Sequence, residues 1–481
     1  MIRKNKKQGY ITVYLSLSLL IMLSFIFTLI EGIRMQTIRF QTECVMDMGL
    51  NSIFAEYHRE LLNQYGLFGI DTSYGSEDVD KNRTGMHLLQ YMNMNFTAPG
   101  RGRIPGYRDL TAVHADNVSL SDISYLSDGK GMMLKYQIIQ YMKEKTGLSI
   151  LDAYIPDEPG DFEAAFDALE GERNNNHGII DEILRLLNEA RAEDEEAVSI
   201  SNPADYVDGM RASPLLTMAV GNSGELSGAY VDLNSYISKR GYEEGVGLWE
   251  KQEMPDGVSD KILFQMYLQD MCGDFTEEKE ASVLAYQKEY LLYGKAGDIE
   301  NLEEFAKQLF MMFYVANAAF LFSNTGKQAE AAELAALVTA GIGLPQLLEA
   351  VKMTILFAWC YAESVQDLRI IFDGKKATVM KTDAAWNIDL SELLTFTGAL
   401  NSYNEAPNGK TYEDYLKAFL FIKDEKTVRM RLMDLMEMDI RLTGGNSNFK
   451  MDACVYQLQA EVNVSSKYGN GYSVSRRYSY E

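Results

Sequence analysis

Of the 481 residues 69 are acidic and 45 basic; the chain carries −24 at neutral pH, with +4 on the first 30 residues and −28 on the rest. So acidic a surface repels phosphate backbones and anionic lipid, because counterion-release binding needs clustered Lys and Arg; nucleic acid is thereby excluded as a partner. An apolar content of 47% with 24% charged residues is that of a folded protein, and the length calls for two or more compact units.

The first apolar stretch, Tyr10 to Ile30, contains no charged residue. About 20 such residues, rising 1.5 Å each, cover the roughly 30 Å hydrocarbon core of a bilayer, and a helix there satisfies its own backbone hydrogen bonds. Arg3, Lys4, Lys6 and Lys7 precede it, and no acid appears before Glu31. The positive-inside bias then keeps the N-terminus cytoplasmic and places the C-terminal part outside. A cleavable secretory signal has an apolar region of about 7–15 residues and a small-x-small cleavage site. Ser24 to Ile33 offers bulky groups instead, so a retained single-pass anchor in the bilayer is expected.

From Glu31 to Tyr65 no proline interrupts, and Met46, Leu50, Ile53, Phe54, Tyr57 and Leu61 fall at helical spacing. A rod that begins in the bilayer therefore seeks a core outside it, ending where Gly66 suits a left-handed C-cap. Gly9 to Tyr14, the apolar run and Ile30-Glu31-Gly32-Ile33-Arg34 resemble the N-terminus of TadE/TadG-like minor pilins of tight-adherence (Tad) pilus systems. The stretch Ser52 to Asp71 resembles more narrowly a family of Gram-positive bacteria, domain of unknown function 5702. So do Lys288 to Asp298, Ala358 to Val365 and Thr411 to Leu416. The pilin resemblance implies cleavage by a prepilin peptidase between Gly9 and Tyr10. It implies too that Tyr14 stands where those pilins carry a glutamate, and that Glu31 and Arg34 form their pair at the membrane edge. Ser16, Ser18 and Ser24 are small hydroxyl residues suited, with Tyr14, to lateral helix packing in the membrane.

Beyond Asp71 the apolar residues thin out, and Gly100, Gly102, Pro105 and Gly106 break the chain. Ala112 to Tyr125 alternates weakly, as one or two short strands would, and Met132 to Leu151 is helical by spacing. Asp157 to Ser201 shifts to Glu and Asp and reads as an acidic linker or insertion; without a spaced D-x-D-x-D-G loop, a solvated helix face is favoured over calcium. Asn202 to Gly257 reads as irregular. Lys261 to Val365 is the main apolar mass, with Asp298 as a helix N-cap, Gly341 ending one helix and Pro345 opening the next. Its runs Leu309–Phe322 and Met353–Ala362 are too short to span a membrane and fit buried core helices. Asp389 to Leu400 and Tyr412 to Met438 add further helices. Asp452 to Val464 and Tyr472 to Tyr480 alternate as a hairpin, with the strands near 112–125 as expected partners.

The expected fold class is thus mainly α with a small antiparallel β portion (α+β), behind a single transmembrane helix. Its segments run 1–9 basic, 10–30 membrane, 31–156 helical stalk and mixed α/β, 157–201 acidic, 202–451 helix-rich core and 452–481 hairpin. Cys44, Cys272, Cys360 and Cys454 show no zinc spacing; buried free thiols are expected, although disulfides in any of three connectivities stay open. His58, His87, His114 and His177 form no metal motif, and no nucleophile elbow, phosphate loop or dinucleotide fingerprint occurs. Lys295 is expected in a turn between helices rather than an anion-binding loop. No catalytic residue, metal ligand or cofactor is therefore assigned, and no small-molecule ligand is implied. Resemblance implies a structural or accessory protein of a Tad-type pilus, a pseudopilin whose partners are the bilayer and other pilin-like or Tad assembly subunits. A membrane-tethered surface module binding glycan or protein is the alternative, followed by a cell-wall hydrolase.

Overall fold

A computed structural model describes residues 8–97, 111–146, 162–191, 211, 214–220, 226–250, 252–341, 343–395, 405–467, 469 and 471–480. The basic residues before Gln8 and the glycines at 100, 102 and 106 with Pro105 lie outside them. The chain forms two compact units, one of Met1–Tyr141, Arg240–Pro255 and Ile440–Glu481, the other of Met142–Lys239 and Asp256–Asp439.

In the first unit the apolar periodicity produces α1 (Gln8–Phe54), a 47-residue helix about 70 Å long at 1.5 Å per residue. Its most apolar 18 residues have a mean hydropathy of 2.4 and are wholly exposed, so the helix is long and apolar enough to cross a membrane. Past that stretch one face turns inward. Ile38, Val45, Met46, Leu50, Ile53 and Phe54 are buried with Leu88, Met92 and Phe96 of α3 (Lys81–Phe96) and with Val455, Leu458, Val462, Val464 and Val474 of the sheet. At roughly 1.5–3 kcal/mol per large side chain, the six residues from α1 contribute on the order of 10 kcal/mol.

The expected rod to Tyr65 is broken at Ala55–His58, and a separate α2 (Arg59–Tyr65) follows. His58 explains the break: its backbone N–H donates to Gly69 O at 2.9 Å, which pulls the chain out of the helix, and its Nδ1 accepts the Leu61 N–H as an N-cap. Gly66 ends α2 in the left-handed region at φ 68°.

Among the described residues four strands form one antiparallel sheet. β3 (Cys454–Ser466) pairs with β2 (Val113–Tyr125), with β4 (Gly471–Ser479) and, at its first two residues, with β1 (Ile70–Asp71). The weak alternation of β2 has a cause: its register shifts between Ala115 and Asn117 and again between Ser121 and Ser124, with Asp122 at φ 45°. Each bulge resets the inside–outside period. The last strand docks through Tyr478 and through Tyr480 just beyond its end, whose rings lie 4.6 and 4.8 Å from the Phe54 ring. After β2 comes α4 (Asp128–Thr146), in which Gly129, Lys130 and Gly131 are left-handed, so regular helix starts at Met132.

The second unit is helical. The stretch expected as an acidic linker or insertion is, over Glu163–Arg191, a helix (α5), whose Ile180 and Leu184 are buried against Ala335, Leu347 and Val351. After α6 (Leu215–Val220), α7 (Val258–Met271) and α8 (Gln287–Tyr293) come α9 (Asp298–Ser323), α10 (Thr325–Gly341) and α11 (Leu348–Phe372). Every residue of α11 from Leu356 to Leu368 is buried, which a surface helix with one apolar stripe never shows. The helix expected over Tyr412–Met438 is two, α12 (Tyr412–Ile422) and α13 (Glu425–Arg441), because Asp424 accepts the Thr427 N–H at 3.0 Å and caps the second. Of the helix expected over Asp389–Leu400, Asp389 is not helical, Leu390–Thr395 is a 3-10 turn and residues 396–400 lie outside the described residues.

A side chain at residue 66 must be left-handed and would meet the Tyr141 ring, since a Cβ there lies 2.6 Å from it. Gly66→Ala should therefore weaken α2 by about 2 kcal/mol. Native-state hydrogen exchange of the α2 amides checks this; unchanged protection would show that the ring and cap do not constrain residue 66.

Candidate functional site

The residues singled out from sequence lie along α1. Tyr10 and Tyr14 are exposed near its start, with Gly9 in the first turn. Ser16, Ser18 and Ser24 donate their hydroxyls to the carbonyls of Val13, Leu15 and Ile21 at 2.9–3.0 Å. Such self-satisfied hydroxyls remove the cost of a bare polar group in hydrocarbon and leave small, nearly flat spots on the helix. Where the apolar run ends, Arg34 Nη2 donates to Glu31 Oε1 at 2.7 Å. The pair spans one turn and places compensated charge where the helix leaves its apolar half.

At the other end of α1 the first unit forms a cleft of about 420 Å³, walled by Glu56, His58, Arg59, Asp71, Tyr74 and Asn446. Because His58 Nδ1 accepts the Leu61 N–H, Nε2 is the donor to Asn446 Oδ1 at 3.1 Å. Glu56 collects the hydroxyls of Tyr74 at 3.0 Å and Tyr91 at 2.7 Å, with His87 Nδ1 at 3.0 Å. Tyr74 has φ 50°, and burial followed by the Glu56 charge pushes its phenol well above the ordinary range. Its proton is therefore a fixed donor rather than a transferable one. Asp71 accepts the backbone N–H and the hydroxyl of Ser73. The acids of this wall thus hold the turn between β1 and α3 together.

The second unit has a cleft of about 690 Å³ walled by Phe166, Tyr293, Glu304, Lys307, Met311 and Phe419 among others. Among the described residues the carboxyls pushed up in pKa, as the general acid of a hydrolase would be, are Asp128, Glu289, Asp298 and Asp367. None lines either cleft. Asp128 is pinned by the N–H groups of Tyr125, Gly245 and Gly247, and so ties residues 240–255 to the end of β2. Asp298, expected as an N-cap, lies inside α9 while Gly297 caps it; its carboxylate accepts Ser227 Oγ and the N–H groups of Ala285 and Tyr286. Among the described residues no three His, Cys, Asp or Glu side chains are grouped to hold a metal ion.

Sequence reasoning missed two buried ionic clusters in the second unit. Glu363, which directly follows the apolar run Met353–Ala362, is fully buried; it accepts the N–H groups of Asn387 and Ile388 and, at 2.8 Å, Lys381 Nζ. Lys381 also meets Asp367 at 2.6 Å. Burial alone would lower the pKa of Lys381, and the two carboxylates more than reverse it. On the seven-residue α8, Lys288 pairs with Asp274 at 2.9 Å, Tyr290 donates to Asp434 at 2.7 Å, and Glu289 Oε1 accepts the Phe275 N–H and the Tyr412 hydroxyl. The available signal was charge inside apolar stretches, in the segments Lys288–Asp298 and Ala358–Val365. Lys295 sits in the turn after Gly294, its N–H held by Asn301. Cys272, Cys360 and Cys454 are buried free thiols, and burial pushes Cys272 up to about 11. Cys44, expected to be buried, is exposed, because it faces away from the sheet.

Residues 193–466, more than half of the chain, match the sequence profile of DUF5702, described as a family of unknown function. Comparison with curated proteins and with solved structures finds no match.

Burial, with Asp274 adding to it, pushes Glu289 up to about 7 from an ordinary 4.5, and Oε2 finds no hydrogen-bond partner among the described residues. A raised carboxyl favours the protonated fold, so its stabilisation is complete below about pH 4.5 and is lost as pH rises through 7, by at most about 3 kcal/mol. Glu289→Gln should flatten the urea midpoint over that window relative to the unmodified protein; parallel profiles would show that Glu289 ionises freely. Lys381→Met leaves two buried carboxylates uncompensated and should destabilise the second unit by about 3–5 kcal/mol. Its urea unfolding midpoint measures this, and a loss under 1 kcal/mol would mean that the carboxylates are neutral without the lysine.

Proposed function

This chain belongs to DUF5702, a family of unknown function, and we propose that it is a membrane-anchored extracytoplasmic accessory protein of a Tad-type pilus, a pseudopilin. One observation carries the reading: α1 passes without a break from its exposed apolar stretch into the core of the first unit. A helix with no hinge makes the orientation of its membrane half the orientation of the folded unit. Lateral packing of such spans then aligns the units they carry, which is what a filament base or cap requires. In this reading the basic start is cytoplasmic, the peptidase cuts between Gly9 and Tyr10, and Tyr14 replaces the buried glutamate of pilins, which spares a carboxylate in lipid. A tethered binding module is the second reading, favoured by the aromatic wall of Phe166, Tyr293 and Phe419 in the larger cleft.

Mass spectrometry of the mature N-terminus, with and without the prepilin peptidase of the same cell, separates the readings. The proposal expects a chain starting at Tyr10 only when the peptidase is present, and loss of the pilus on deletion. A start at Met1 or Ile2 in both strains makes the anchor permanent and favours the tethered module; a start beyond Ile30 makes the apolar helix a leader and defeats both.

A further inference from the structure

Beyond its apolar run α1 has a second apolar face. The first, with Ile38, Val45, Met46 and Leu50, is buried in the unit. On the other side Ile33 is 68% exposed, Phe40 70% and Met48 45%, and the free thiol of Cys44 is exposed among them. At about 100° per residue these four fall within a sector of roughly 80°, with Cys44 near its middle. Thr37 lies in the same sector and has turned its hydroxyl onto Ile33 O at 2.9 Å, so it presents its methyl group. Single exposed apolar residues are ordinary, whereas an aligned row of them marks an interaction surface.

What covers the row follows from where it leads. The sector runs back through Ile26, Met22, Leu19 and Leu15, all in the exposed apolar stretch. Lipid can cover that part but not the roughly 27 Å of helix between Ile30 and Met48. An occupant of the whole row must travel beside α1 in the membrane and leave it in the same direction. Another α1 does so, since copies inserted alike point alike. Charge allows the match. A parallel, in-register pair sets each residue near its own copy, and the two acids flanking the row, Glu43 and Asp47, share one arginine within the chain. Arg476 lies 3.8 Å from Glu43 and 3.4 Å from Asp47, and Arg34 holds Glu31.

We propose that two copies of this chain pack in parallel along Ile33, Phe40, Cys44 and Met48, extending a helix pair from the membrane into the first unit. The inference rests on the reading above, in which the span is retained and packs laterally, and names its partner as a second copy.

The test uses the full-length protein in native membranes and a short bis-maleimide. Cys272, Cys360 and Cys454 are buried, which leaves Cys44 as the reactive thiol. A covalent dimer is expected that disappears in Cys44→Ser, and Phe40→Glu should cut its yield about tenfold or more, since a carboxylate would face its own copy in the seam. Moving the thiol off the row, by Arg39→Cys in the Cys44→Ser background, should yield little dimer. Absence of the dimer, equal yield from position 39, or an adduct with a different protein each overturns the self-pairing. Membrane fractionation and the mature N-terminus of the same sample keep the two ideas apart: an intact, membrane-bound chain without dimer defeats only the pairing, and a chain lacking the span defeats the reading beneath it.

Discussion

The contact on which the first unit depends is that of α1 with its sheet. Val45, Met46, Leu50, Ile53 and Phe54 of one helix face meet Leu458, Val462 and Val464 of β3 and the tyrosines of the last strand. The same helix, a few turns earlier, is apolar on every side. One half is long and apolar enough to cross a membrane, and the other serves a one-sided protein core. The Arg34–Glu31 pair stands at the change, where solvating demands switch from all round to a single stripe.

The second unit is held in another manner. Its central helices bury charge as well as hydrocarbon: Glu363, Asp367 and Lys381 lie at 0–2% exposure, and Lys288 with Asp274 at 5% and 2%. Buried pairs of this kind add little net stability over apolar replacements, but they permit few alternative packings, because any slip strands a charge. They fix which loop seats on which helix, Lys381 on α11 and Asp274 on α8. Asp298 does the same for a loop, collecting two backbone N–H groups and a serine onto the start of α9.

How much of this was legible depended on whether a residue acts through its neighbours in sequence. The helical face at Met46, Leu50, Ile53 and Phe54, the left-handed Gly66, the end at Gly341, the mainly helical class and the terminal hairpin are local patterns, and they stand in the structure as read. The break at Ala55–His58 was not legible, since it follows from a bond to Gly69 across another element. The roles of Glu363, Lys381 and Asp298 were hidden for the same reason: each carboxylate or ammonium meets partners 12 to 25 residues away or more. Both clefts are likewise assembled from distant segments, and their sequence carries no motif.

The order of strands bears on how the protein is made. β2 finds its pairing partner in β3, yet Tyr125 and Cys454 are separated by more than 300 residues that include the whole second unit. At about 5–20 residues per second, β2 waits on the order of half a minute before β3 exists. The second unit, continuous apart from one short excursion, can close meanwhile; the first cannot complete its sheet until the last strand-forming residues are synthesised. The part that folds onto the earliest helix is therefore the latest to form. Through that interval the bulges of β2 and the polar residues Asp116, Asn117, Asp122 and Ser124 blunt an edge that would otherwise invite pairing with another nascent chain.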